Sequence, residues 1–436
     1  MFEAFQNIFR IPELRKRVLF SLAMLAVYRV GCHIPTPGID SQALALFFKQ
    51  MQGTLFGMVD MFSGGALQKL TVFALGIMPY ISSSIIFQLL TVVVPTIEKL
   101  SKEGEAGRKK IIQYTRYGTI VLSVVQALGI SIGLESMRGP AGELVVPSPG
   151  WGFRIMTVLT LTAGTAFIMW LGEQMSEKGI GNGISLIIFA GIVVRIPAAI
   201  SNSFRLLKAG QLSLFLILFV VVFMFLVIAA IVFVERGQRR IPIHYAKRVV
   251  GLKTYGGQTS HLPLKINMAG VIPPIFASSI IMFPATVANF INVPWVQKAA
   301  KSFTPGNLSY EFFYVAFIVF FCYFYTAVTF NPIDVAENVK KHGGYIPGIR
   351  PGKETSDFLD TVLTKLTFVG AIYISLVCVL PSLLIGKFNL PFYFGGTALL
   401  IAIGVGMDTV AQIESHLITR SYEGFMKGVK IKGRRG

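Results

Sequence analysis

Residues 212–234 read LSLFLILFVVVFMFLVIAAIVFV, and Glu235-Arg236 follow at once. The run carries no charge, and its length matches the roughly 20 apolar residues that take a helix across the hydrocarbon core of a bilayer. It also lacks the apolar-polar alternation of a membrane strand. Backbone polar groups in lipid must be satisfied within their own segment, so a helix is what such a run dictates. Working outward, comparable stretches lie near 18–34, 70–94, 117–134, 155–172, 183–200, 267–291, 311–330, 367–386 and 393–411. The predicted fold class is therefore an all-α integral membrane protein with ten transmembrane helices.

Composition agrees. Of the 436 residues 53% are hydrophobic and 14% charged, a balance unsuited to a soluble enzyme of this length. A net charge of +19 would suit a nucleic-acid binder, except that the basic residues are sorted by side of the membrane. About three in four of the 40 Lys and Arg residues fall at the termini or in every second connection, which the positive-inside tendency places in the cytoplasm. The large basic connections 235–266 and 335–366 belong to that side, and an even number of crossings puts both termini there too. Arg10, Arg15, Lys16 and Arg17 precede the first apolar run as in a secretory signal. The run is too long for one, however, and Arg29 follows it in place of a small-residue cleavage site, so it is predicted to remain as the first span. Cys32, Cys322 and Cys378 fall within or at the end of spans without metal-ligand spacing and read as buried, reduced thiols.

Pumps and ion-coupled transporters place ionisable groups at membrane depth. Here Arg29, Glu173, Arg195, Glu311, Asp334 and Asp408 all lie near predicted span ends, where charge reaches headgroups or water. Gln88 and Gln126 are the clearer mid-membrane polar groups, read either as interhelical hydrogen bonds or as part of a conduction path. There is no HExxH, no GxSxG elbow and no P-loop, and the five histidines are scattered, so neither catalysis nor a metal or other cofactor is predicted. Gly404-Val405-Gly406-Met407-Asp408 offers one carboxylate where an intramembrane aspartyl protease needs two. Glycine and proline interrupt several spans, at Gly64-Gly65, Gly76, Pro79, Pro273-Pro274, Pro284 and Gly395-Gly396. Met58–Leu70 reads as a short re-entrant helical piece, with a plain loop as the alternative. Ile77 with Ile81, and Ile184 with Ile188, each share one helix face, which composition alone reads as core or lipid contact.

Particular strings add a family likeness. Met61–Leu67 (MFSGGAL), Phe73–Ile81 (FALGIMPYI), Gln113–Gly118 (QYTRYG), Trp170–Gln174 (WLGEQ), Gly179–Ser185 (GIGNGIS), Val234–Arg240 (VERGQRR) and Ile346–Gly352 (IPGIRPG) occur in an order and spacing that resemble the SecY family of bacterial protein-conducting channels. The likeness runs from Arg15 to Lys432. It implies two pseudo-symmetric five-helix halves, 1–200 and 201–436, around a central hourglass pore that opens sideways between the second and seventh spans. It also implies a passive channel of the bacterial inner membrane, conducting unfolded preproteins across and releasing transmembrane segments into lipid.

Carried over position by position, the family's pore ring falls on Ile77, Ile81, Ile184, Ile188, Ile275 and Ile401. Branched aliphatic side chains coordinate no ion, disfavour a water column and yield to a passing chain. The plug falls on Asp60, Met61, Phe62, Ser63, Gly64, Gly65, Ala66 and Leu67, with the glycines allowing close packing or a hinge. The lateral gate, where a signal sequence meets lipid, falls on Ser82 and Phe283, with Gln88 and Gln126 near that seam. Arg236, Arg239, Arg240, Lys247, Arg248, Lys253 and Arg350 are implied docking residues for the SecA motor or for ribosomal RNA phosphates, and Pro347 and Pro351 stiffen the tip that presents Arg350. At Leu252 the sequence departs from the arginine pair common in the family. Small subunits similar to SecE and SecG are implied partners. The rival readings are a secondary transporter, which would need a compact polar site at mid-membrane, and the intramembrane protease already short of an acid.

Overall fold

The computed structural model describes residues 11–40, 44, 63–136, 144–210, 213–245, 248–250, 253–255, 259–290, 307–388 and 396–428. Of the expected site residues, Asp60, Met61, Phe62 and Lys247 lie outside the described residues, and for Arg248, Lys253 and Phe283 only the backbone is described.

Proline sets the starts of several helices, since its missing N–H costs nothing in a first turn and its φ is already helical. Pro12 opens α1 (Pro12–Gly31) and Pro79 sits in the first turn of α2 (Met78–Val93). Val94, held extended ahead of Pro95, ends α2, and α3 (Pro95–Lys102) leaves at a bend of 98°. Then come α4 (Glu105–Ser136), α5 (Trp151–Lys178), α6 (Gly183–Val193), α7 (Ile196–Lys208) and α8 (Leu214–Arg236), the last being the run quoted above. A β-ribbon follows, with strands β1 (Gln238–Tyr245), β2 (Arg248–Val250), β3 (Lys253–Tyr255) and β4 (Thr259–Lys265). The remaining elements are α9 (Ile272–Phe290), α10 (Leu308–Thr329), α11 (Pro332–Lys341), β5 (Gly344–Tyr345), α12 (Lys353–Phe388) and α13 (Gly396–Gly428).

Each of the ten expected spans contains a helix. Seven helices among the described residues are long and apolar enough to cross a membrane, eight spans if α2 and α3 count as one, and α9 contributes the shorter apolar segment Ile272–Ile281. The helix α1 has the 20-residue length, with Glu13 in its first turn and Arg29 in its last.

Two expectations need correction. The described part of Met58–Leu70 is not helical, and the second span does not begin at 70. Ser63–Gly76 instead forms a chain of tight turns closed by i+3→i bonds, from Ala66 N to Ser63 O, Leu70 N to Leu67 O, Ala74 N to Thr71 O and Gly76 N to Phe73 O. The cause is local: Gly64, Gly65 and Gly76 adopt φ of +67°, +86° and +57°, and Leu70 adopts +37°, values that a right-handed helix cannot contain. An isolated bridge between Pro35 and Thr71 ties this chain to the segment after α1.

The chain divides into two compact units, one of Met1–Ala198, Asn289–Asn292 and Ile401–Gly436, the other of Ala199–Ala288 and Val293–Leu400. In the first unit a core of Leu67, Leu70, Ala74 and Leu75 packs with Ala127 and Leu134 of α4 and Phe153 and Leu161 of α5, so the turns are buried against helices. In the second, Ile241, Leu264, Ile346, Leu359, Val362 and Leu363 form a core joining the ribbon to α12.

Candidate functional site

Five of the six expected ring isoleucines lie in the first unit. Ile77 caps α2 and is buried, and its carbonyl accepts the amides of Tyr80 and Ile81 at 3.1 Å each. Ile81, one turn on, is also buried. Ile184 is half-buried in the first turn of α6, Ile188 is buried one turn later, and Ile401 is buried in α13. Ile275, on α9, belongs to the second unit, where its carbonyl takes hydroxyl bonds from Ser278 and Ser279.

The pair on α6 is aimed by its junction with α5. Asn182 caps α6, its side-chain oxygen accepting from the amides of Ile184 and Ser185. Around it, the Ile180 amide donates to Ser21 Oγ of α1 at 3.0 Å, Gly181 to Gln412 Oε1 of α13 at 2.9 Å and Gly183 to Ser176 Oγ of α5 at 2.8 Å. Three helices thus hold one turn through its backbone amides. Sequence reasoning treated GIGNG as a likeness and missed the cap, although Asn before an apolar run is an N-cap signal.

Of the expected plug residues, Ser63–Leu67 are described. Ser63, Ala66 and Leu67 are buried, and the Leu67 amide donates to Ser63 Oγ at 3.3 Å. Phe73, further along the turns, stacks on Tyr28 of α1 and on Phe167 of α5 with centroids 6.0 and 5.9 Å apart.

Ser82, Gln88 and Gln126 are all half-buried. A stitch between α2 and α4 comes from a residue not singled out: Ser83 Oγ donates to the Thr115 carbonyl at 2.8 Å, beside Gly118, whose missing side chain leaves room for it. Three consecutive serines, 82 to 84, hide which one faces α4. A second link joins two of the strings quoted above: Arg116 of α4 pairs with Glu173 of α5 at 2.8 Å, which accounts for a charge at that span end. The pair is half-exposed and worth at most about 1 kcal/mol.

The basic connections form one body in the second unit. Strand β1 pairs antiparallel with β4, from Gln238 opposite Lys265 to His244 opposite Thr259, and its far end pairs with β5, His244 opposite Tyr345. Along β1 Ile241 and Ile243 are buried on one face with Pro242 exposed between them, Arg239 and Arg240 are exposed in the stretch before the alternation sets in, and Arg236 is exposed where α8 ends. In the hairpin, Lys253 stands opposite Val250 beside the tip, and Arg248 opposite Tyr255. Ile346 anchors the second connection in the ribbon's core, leaving Arg350 exposed while its carbonyl accepts Thr355 Oγ1 at 2.8 Å. Arginines far apart in sequence therefore ride on one scaffold. The sequence reading foresaw no strands here. Among the described residues no three His, Cys, Asp or Glu side chains gather as metal ligands.

Apolar helices long enough to span, a turn segment buried against two of them and a basic ribbon packed on another define a multi-pass helical membrane protein. The fold is that of a solved protein conducting channel, with a TM-score of 0.67 at 17% identity over 95% of this chain and 97% of that one. It is also that of Sec61 in a canine ribosome-channel complex, with a TM-score of 0.62 at 16% identity over 95% and 97%. Residues 71–410 match the SecY family model. The protein translocase subunit SecY of Pseudomonas aeruginosa is 51% identical over 427 residues, 97% of this chain and 95% of that protein. That of Aquifex aeolicus is 47% identical over 428 residues, 98% and 100%. The chain belongs to the SecY family.

Proposed function

We propose that this chain, a translocase channel subunit and not an enzyme, is the central pore through which unfolded preproteins cross the bacterial inner membrane and from which transmembrane segments pass sideways into lipid. The observation that carries the reading is the near-full-length match to translocase subunits at about half identity. In this reading Ile77, Ile81, Ile184, Ile188, Ile275 and Ile401 form a dewetting constriction. Asp60–Leu67 is the plug, and Ser82 and Phe283, with Gln88 and Gln126 nearby, flank the lateral exit. A segment of about 20 apolar residues gains by entering hydrocarbon there, while a polar one continues through.

Force comes from a partner, SecA or a translating ribosome, docked on the platform of Arg236, Arg239, Arg240, Lys247, Arg248, Lys253 and Arg350. Positive charge and the positive-inside tendency both support a cytoplasmic position for that surface and for the two termini. Small subunits similar to SecE and SecG complete the assembly.

The test is reconstitution with such subunits, followed by SecA- and ATP-dependent protection of a fluorescent preprotein inside vesicles. Motor-dependent protection that is blocked by a cysteine crosslink between positions 82 and 283 is expected. No protection, from folded protein with an active motor, overturns the reading.

A further inference from the structure

Two neighbouring side chains of α1 hold two neighbouring carbonyls of the turn segment. The Tyr28 hydroxyl, 2% exposed, donates to the Ser63 carbonyl at 3.3 Å, and Arg29 Nη1 donates to the Gly64 carbonyl at 3.0 Å. Gly64 and Gly65 turn the backbone here through left-handed φ, which brings the Gly64 carbonyl to Arg29, while the Ser63 carbonyl accepts both the Ala66 amide and the Tyr28 hydroxyl. The fit at Gly64 is close: a Cβ there would lie 3.1 Å from Gly191 Cα of α6 and 3.3 Å from the Tyr28 hydroxyl. At Gly64 the segment is therefore held by polar bonds and a close backbone seat, with no interlocking side chain of its own.

We propose that Arg29 and Tyr28 are positioning residues that latch the turn segment in the closed channel, Arg29 being the stronger of the two. The inference rests on the reading of this segment as the plug. A bond from a charged donor to a carbonyl is stronger than a neutral one, and it strengthens where water is partly excluded, as it is around half-buried Arg29. A long guanidinium stem can also swing to water once the segment leaves, so the latch releases without unfolding α1. Charge at this place suits the helix too, because Arg29 lies in the last turn of α1, where the carbonyl end favours a cation.

The test is resting ionic current through the reconstituted complex in a planar bilayer, without motor or preprotein. Arg29→Gln should raise the conducting fraction on the order of tenfold, the factor set by losing one charge-assisted bond. Tyr28→Phe should raise it less, because the ring keeps its stack on Phe73. Arg29→Lys should restore most of the closure, since an ammonium can reach the same carbonyl. Deleting 60–66 should raise the current by itself, and Arg29→Gln added to that deletion should change nothing further. A deletion that conducts beside a silent Arg29→Gln removes the latch and leaves the plug standing. An equal effect of Arg29→Gln in the deleted background shows that Arg29 acts elsewhere. A deletion without effect overturns the plug reading and the latch with it.

Discussion

Replacing Gly164 with alanine tests whether α5 packs backbone to backbone on the chain of turns that leads into α2. A Cβ there would stand 2.0 Å from the Val72 carbonyl oxygen, 2.9 Å from its carbon and 3.0 Å from Val72 Cγ1, where ordinary contact begins at 3.4 Å. No rotamer relieves this, because the obstacle is main chain. Nor is that main chain free to retreat: the Val72 amide donates to the Ile34 carbonyl at 3.0 Å and the Thr36 amide to the Leu70 carbonyl at 2.9 Å. Forcing extra volume into such a site costs about 1–3 kcal/mol. Alanine also gains up to about 1 kcal/mol over glycine in a helix, so the clash must be measured against a control. Gly406 in α13 supplies one, since nothing lies within 4 Å of its ideal Cβ. Gly406→Ala should raise the denaturant midpoint of the detergent-solubilised complex, and Gly164→Ala should fall below it by the overpacking cost, about 1–3 kcal/mol. Equal stabilisation by both would refute the packing of α5 on the turns.

Asn182→Ala removes the cap of α6 and should cost about 1 kcal/mol by the same unfolding measurement, with Asn182→Asp recovering most of it. Ile401→Asn or Ile275→Asn should wet the constriction, raising resting ion conductance and relaxing the demand for a good signal sequence; unchanged conductance and stringency would dissolve the ring assignment. Arg350→Glu should cripple motor-driven translocation while leaving the unfolding midpoint within about 0.5 kcal/mol of the parent, because the side chain is exposed at a loop tip. Normal translocation by that variant would take Arg350 out of the docking surface.

Much was legible in one dimension because lipid allows so few backbone solutions. An uncharged run such as 212–234 has no choice but to be a helix, and α8 takes it up from Leu214 onward. Sorting of Lys and Arg by connection speaks to topology in the same direct way, since it follows from counting. Four of the expected ring isoleucines were visible as i, i+4 pairs, a spacing shared by every apolar helix face, while Ile275 and Ile401 were singled out by the family likeness alone. Ser83 was hidden for a similar reason: three serines in a row are equivalent until a partner helix places Thr115 opposite one of them.

Chain order alone thus determined the helical class, the approximate places of the apolar runs, which connections are basic and the absence of the catalytic motifs sought, all properties of local composition. Tertiary structure decided what depends on partners distant in sequence. It buried the turns of Ser63–Gly76, whose left-handed φ values break the helix expected there, by packing Leu67, Leu70, Ala74 and Leu75 on α4 and α5. It brought two basic connections about a hundred residues apart onto one core through Ile241 and Ile346. It set Arg29 on the Gly64 carbonyl, where the sequence showed only a charge near a span end. Burial and hydrogen-bond partnership are set by which elements meet, and no window along the chain contains both sides of such a meeting.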